Sequence, residues 1–140
     1  MDTELGEARR WLEAIVRRTR ESDQRYLREL QRGTLCCLRR GLEPEVSAKV
    51  AATLSVFVRG LWFERWSPAE DVTPYPSIER FLECVTPFVK DFYADAVIEE
   101  DVLAVAQTFF MQWPQAAKIC ASHLPKEFFE YVPGLMDSTG

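Results

Sequence analysis

Histidine occurs once in these 140 residues, at His123, and neither Cys-x-x-Cys nor Glu-x-x-His nor a glycine-rich phosphate loop occurs at all. Each absence removes a class of chemistry. Zinc needs three or four nitrogen and sulfur ligands; Cys120 and His123 would share one helical face, but they supply only two. Nothing in the sequence orients that histidine or builds an oxyanion hole, so a cysteine–histidine nucleophile is not expected either. Without Glu-x-x-His there is no di-iron bundle signature. Without Gly-x-x-x-x-Gly-Lys or Gly-x-Gly-x-x-Gly there is no phosphate cradle. The expectation is a non-enzymatic protein with no catalytic residue, no metal and no cofactor.

Long apolar runs are missing too. The longest charge-free stretch, Val102 to Ala117, has 16 residues and is interrupted by Gln107, Gln112 and Pro114. That is too short and too polar to span a bilayer. No N-terminal segment joins a basic start to an apolar core, so no signal peptide is read. The four cysteines (Cys36, Cys37, Cys84, Cys120) fall short of a disulfide scaffold. Adjacent Cys36 and Cys37 would point about 100° apart on a helix and chelate poorly. Buried, reduced thiols are expected, and with them an intracellular location, cytoplasmic or nuclear.

What the chain does have is apolar bulk and unevenly placed charge. It is 47% hydrophobic and 28% charged, the balance of a folded globular protein and not of a disordered one. The length suits one domain, residues 1–140. A net charge of −5 excludes general coating of nucleic acid, so any such contact must be local. Ten of the thirteen arginines lie between Arg9 and Arg40, a stretch with no lysine. Set against the seven acids between Asp2 and Glu29, they leave this N-terminal region (1–41) at about +3, ahead of a body (42–133) with seven basic and fifteen acidic groups in the rest of the chain.

Arg18, Arg25, Arg32 and Arg39 recur every seven residues. On one continuous helix they would form a line about 30 Å long. Guanidinium groups recognise carboxylates and phosphates through paired hydrogen bonds, so this ridge is a candidate docking strip. The reading it favours first is a solvated or dimer-flanking face, because Glu13–Arg17 and Glu21–Arg25 are spaced for helical ion pairs. Beside it runs a seam (Leu5, Ala8, Leu12, Ile15, Thr19, Ser22, Tyr26, Leu30, Gly33, Cys37) spaced by three or four, like a coiled-coil edge. A homodimer through the N-terminal helix follows as an expectation. The seam turns polar at Thr19 and Ser22, so residues 3–40 are either one bent helix closed by Gly41 or two helices meeting near Ser22–Asp23.

Helical spacing continues through the rest, and no segment alternates like a strand. Pro44 opens a stretch to about Trp66 that is apolar almost all round, with no charge from Val50 to Val58; it is expected to be the buried central helix. Pro68, Pro74 and Pro76 mark a loop, and Ser77 a cap. An apolar face then runs from Ile78 to Phe92 straight through Pro87, which favours a kink over a break. Glu99, Glu100 and Asp101 suit the positive end of a helix that buries Val102, Val105, Phe109 and Trp113. Two short helices after Trp113–Pro114 and Leu124–Pro125 precede a tail (134–140). The fold expected is an all-α domain of six or seven helices around the central helix 44–66.

Phe109–Phe110 and Phe128–Phe129 are tandem pairs, and a helix cannot bury both members of a pair against one neighbour. Phe110, Phe129, Trp62 and Trp66 are therefore candidate anchors in a groove, unless a central helix with several neighbours absorbs them. The stretch Leu42-Glu43-Pro44-Glu45-Val46 to Gly60-Leu61-Trp62 resembles one helix of the ligand-binding half of TetR-type transcriptional regulators. The resemblance covers about twenty residues, and the DNA-binding module of that family has no counterpart in residues 1–40. It implies an apolar ligand pocket along this helix and nothing more. The leading expectation is a protein-interaction module, an adaptor or regulator that binds a protein partner through a helical groove or the arginine-lined helix. The alternatives are a helical sensor for a small apolar ligand and a nucleic-acid-binding regulator, the latter without a supporting motif.

Overall fold

The computed structural model describes residues 2–21, 23–92, 99–132 and 135, the side chains of 2–5 excepted. The described residues form α1 (Asp2–Thr19), α2 (Gln24–Arg40), α3 (Pro44–Ala52), α4 (Val56–Trp62), α5 (Ile78–Val89), α6 (Glu99–Gln112), α7 (Pro114–Cys120) and a 3₁₀ turn (Lys126–Phe129), with no strand among them. The architecture is all-α, as the periodicity predicts. Pro133, Gly134 and 136–140, where a tail was expected, lie outside the described residues.

The arginine-rich region is two helices. Arg20 enters the left-handed region (φ 59°). The Thr19 hydroxyl donates to the Ile15 carbonyl and accepts from the Glu21 amide, so the polar break in the seam is the end of α1. The Asp23 carboxylate then accepts from the amides of Arg25 and Tyr26 at 3.0 and 3.2 Å and starts α2. Gly41 closes α2 with an ordinary φ of −82°. Space is tight there: a Cβ would lie 3.0 Å from the side chains of Leu124 and Tyr75, which would have to shift slightly.

α2, although in the N-terminal region 1–41, belongs to the core and does not stand apart from it. It packs on α4, α5 and α6 at once, and every residue from Gly33 to Arg39 is buried. The central helix expected at 44–66 is corrected as well: the chain breaks at Thr53–Ser55. Thr53 bonds back to the Val50 carbonyl, and the Arg59 guanidinium, reaching back from α4, donates to the carbonyls of Ala51 and Leu54 at 3.0 and 3.1 Å. Ala51 is in the last turn of α3 and Leu54 in the link to α4, so the guanidinium braces the break between the two helices. Val50, Ala51, Leu54 and Val58 are buried, but Val56 and Phe57 are 61% and 48% exposed. The helix enclosed on most sides is α6, buried continuously from Ala104 to Phe110 between α1, α2, α7 and the 3₁₀ turn.

α5 runs through Pro87 and ends two residues later, with the Thr86 hydroxyl on the Leu82 carbonyl. It is tied to α2 covalently. Cys37 and Cys84 form a disulfide across 47 residues, with Cα atoms 6.1 Å apart. The expectation of reduced thiols therefore fails for this pair and fits Cys36 and Cys120, which are free and buried. With it goes the ground on which an intracellular location was argued, because disulfides persist mainly where the surroundings oxidise. No helix among the described residues is long and apolar enough to cross a membrane.

Candidate binding surface

The four arginines of the seven-residue row have four different surroundings. Arg18 is on α1; its guanidinium donates to the Gln107 side chain and lies over the Tyr131 ring. Arg25 is exposed and sits over Phe92 at 5.8 Å. Arg32 is half-buried, 2.9 Å from Glu29 and 3.3 Å from Glu64. Arg39 is buried and ion-paired with Glu70, and it also donates to the carbonyls of Trp62 and Glu64. A continuous 30 Å strip does not exist, and Arg39 is a structural residue that closes the 63–77 loop onto α2. The coiled-coil seam is likewise taken up internally: Ile15, Tyr26, Leu30 and Cys37 are all in the core.

Of the four candidate aromatic anchors, only Trp66 is exposed, at 46%, edge-on to Phe63. Trp62 is fully buried, stacked over Phe109 with its indole N–H on the Ser47 hydroxyl at 3.0 Å. Phe110 and Phe129 pack on each other in the core, their rings 4.7 Å apart. The tandem pairs are absorbed because α6 has neighbours on several sides: Phe109 faces Trp11, Trp62 and Trp113, while Phe110 faces Phe129. Trp62, Phe110 and Phe129 are therefore corrected from anchors to core.

The open apolar surface is elsewhere. α1, α2 and α4 enclose a groove of about 300 Å³, with apolar walls from Trp11, Leu12, Phe57 and Leu61 and with Arg9, Arg28 and Arg32 among its lining. Across α2 lies a second, more polar depression of about 350 Å³, walled by Phe88 and Phe92 and lined by Arg25, Arg28 and Arg32, with Glu29 and Asp91. Arg28 and Arg32 border both. Arg25, Arg28 and Arg32 are thus a ridge along one line of α2 between two depressions, opposite the face that carries Leu27, Leu30 and Leu38 into the core. Arg9, Arg25 and Arg28 form no ion pair with any described residue.

Arg9, Arg28, Phe57 and Leu61 are not marked as binding residues by the sequence pattern, and Leu12 reads there only as part of the dimer seam. Arg28 was detectable: with Arg25 and Arg32 it completes an i, i+3, i+7 row, which follows a helix face better than strict sevens do. Phe57 was not, because its exposure depends on the break between α3 and α4. The Cys120–His123 pair offers no reactive thiol. Burial pushes the Cys120 thiol up to about 12, and His123 is exposed and unconnected to it. No family model matches this chain, and no curated protein matches its sequence.

Proposed function

We propose that this chain is a non-enzymatic protein-interaction module, an adaptor or regulator that seats part of a protein partner in the groove between α1, α2 and α4. The observation that carries the reading is the combination found there: an apolar trough open at the surface, with a half-exposed Phe57 in its wall and, on its rim, the guanidinium groups of Arg9 and Arg28, which pair with no described acid. Exposed aromatic side chains beside arginine are the groups that contribute most at protein interfaces. The trough belongs to three helices that are otherwise packed against the core, so it is held in shape before anything binds.

The test compares cross-linked partners of the wild type with those of Phe57→Asp and of Arg80→Glu, an exposed arginine remote from the groove. Loss of the same partners with Phe57→Asp and their retention with Arg80→Glu, both variants keeping the wild-type melting temperature, is the expected result. Partners retained by Phe57→Asp would remove the groove from the account.

A small apolar ligand is the second reading, favoured by the apolar lining. The volume, about 300 Å³, lies at the lower end for small-molecule sites. Nucleic-acid binding is the weakest reading, since Arg39 is buried and Arg32 is already paired with two glutamates. A phosphate-binding strip would show steep loss of affinity with salt.

A further inference from the structure

Resting on that reading, we infer that the partner is an acidic amphipathic helix lying along α2, with a stripe of carboxylates on the Arg25–Arg28–Arg32 ridge. Charge complementarity is the first argument. The ridge carries three arginines, of which, among the described residues, only Arg32 is ion-paired, with Glu29 and Glu64. Arg9 adds a fourth cation at the far side of the groove. Asp91 is the one further acid lining either depression. This local excess of positive charge stands on a chain whose net charge is −5, so the attraction is confined to this face.

Spacing is the second argument. Arg25, Arg28 and Arg32 advance by three and four residues, about 10 Å along the helix axis. A facing helix presents side chains at the same interval, so acids at its own i, i+4 and i+7 positions come level with the three arginines, two of them facing Arg25 and Arg28 and the third sharing Arg32 with Glu29 and Glu64. The third argument is what flanks the ridge. Apolar wall residues stand on both sides, Phe57 and Leu61 in one depression and Phe88 and Phe92 in the other. A helix whose acidic stripe is bordered by apolar side chains on each side fills both depressions as its carboxylates pair. A lone small anion uses only one of them.

The experiment is a selection from a displayed library of helical peptides randomised over their surface positions, using the full chain as target. Enriched helices are expected to carry acids at i, i+3 or i+4, and i+7 with apolar neighbours. Their affinity is expected to fall about tenfold or more on Arg28→Glu and to return when the facing acid is changed to lysine. Arg28 is exposed and pairs with no described acid, so circular dichroism is expected to be unchanged in that variant.

Enriched helices without an acidic stripe, indifferent to Arg28→Glu but lost with Phe57→Asp, would overturn the acidic partner and leave the groove standing. Thermal stabilisation by decanoate with no helix enriched would overturn it in favour of a small apolar anion. Neither enrichment nor a decanoate effect would bring down both this inference and the groove reading.

Discussion

Gly33 sits in the middle of α2, where alanine would ordinarily gain about 1 kcal/mol in helix propensity. A Cβ there would lie 2.8 Å from both Cβ and Cγ of Phe88, atoms at the root of a side chain on the packed α5 face that cannot swing aside. Overpacking of this kind costs about 1–3 kcal/mol. Gly33→Ala is therefore expected to lower the urea midpoint despite its propensity gain; an unchanged or higher midpoint would mean that α2 and α5 are farther apart than described. Asp101 is a second informative position. Burial raises its carboxyl above the usual range, the Tyr26 hydroxyl that donates to it at 2.7 Å pulls the other way, and Glu21 and Glu100 add to the rise. A raised folded-state value means that the folded protein holds the proton more tightly than the unfolded chain does. The associated stability is present below the unfolded carboxylate range and is lost as pH rises through the folded value. Asp101→Asn keeps an oxygen for Tyr26 but cannot ionise, so its stability relative to wild type should increase from about pH 4 to pH 7. A pH-independent difference between the two in urea titrations would contradict the burial argument.

At the scale of elements, the link between α2 and α5 matters most. Their disulfide closes a loop of 47 residues, for which the chain-entropy relation gives about 4 kcal/mol. Cys84→Ser should lower the unfolding free energy by about that amount, dithiothreitol should do nearly the same to the wild type, and reductant should do nothing more to the variant. A wild type indifferent to reductant would mean that the bond is absent in solution. This pairing was not legible in the sequence, because it depends on which helices meet across those 47 residues. Local signals fared better. The acidic start of α6, the proline starts of α3 and α7 and the Ser77 cap all act within one turn, and each element begins where those residues predict. The break at Thr53–Ser55 was hidden for the opposite reason: the guanidinium that braces the end of α3 comes from Arg59, in the next helix. Arg39 was misread because a seven-residue spacing cannot tell the outer face of α2 from the face that turns inward near its C-terminus.

For the whole molecule, α2 has two roles divided along its length and around its axis. Its inner face and C-terminal half belong to the core, and its outer N-terminal ridge is exposed, the face on which the proposed partner would lie. Arg28 and Arg39 represent the two. Losing the Arg39 guanidinium strips one of two arginine partners from Glu70, Arg40 remaining at 3.5 Å, and leaves the buried Trp62 carbonyl without its donor, a loss that costs about 1–3 kcal/mol for an unsatisfied buried group. Arg28 is exposed and has no ion-pair partner among the described residues. The most direct measurement is the urea unfolding free energy of Arg28→Glu beside that of Arg39→Met. No change beyond about 0.5 kcal/mol is expected for the first and a loss of about 1 kcal/mol or more for the second. Equal losses in the two variants, or an Arg39→Met protein as stable as wild type, would contradict this division of α2.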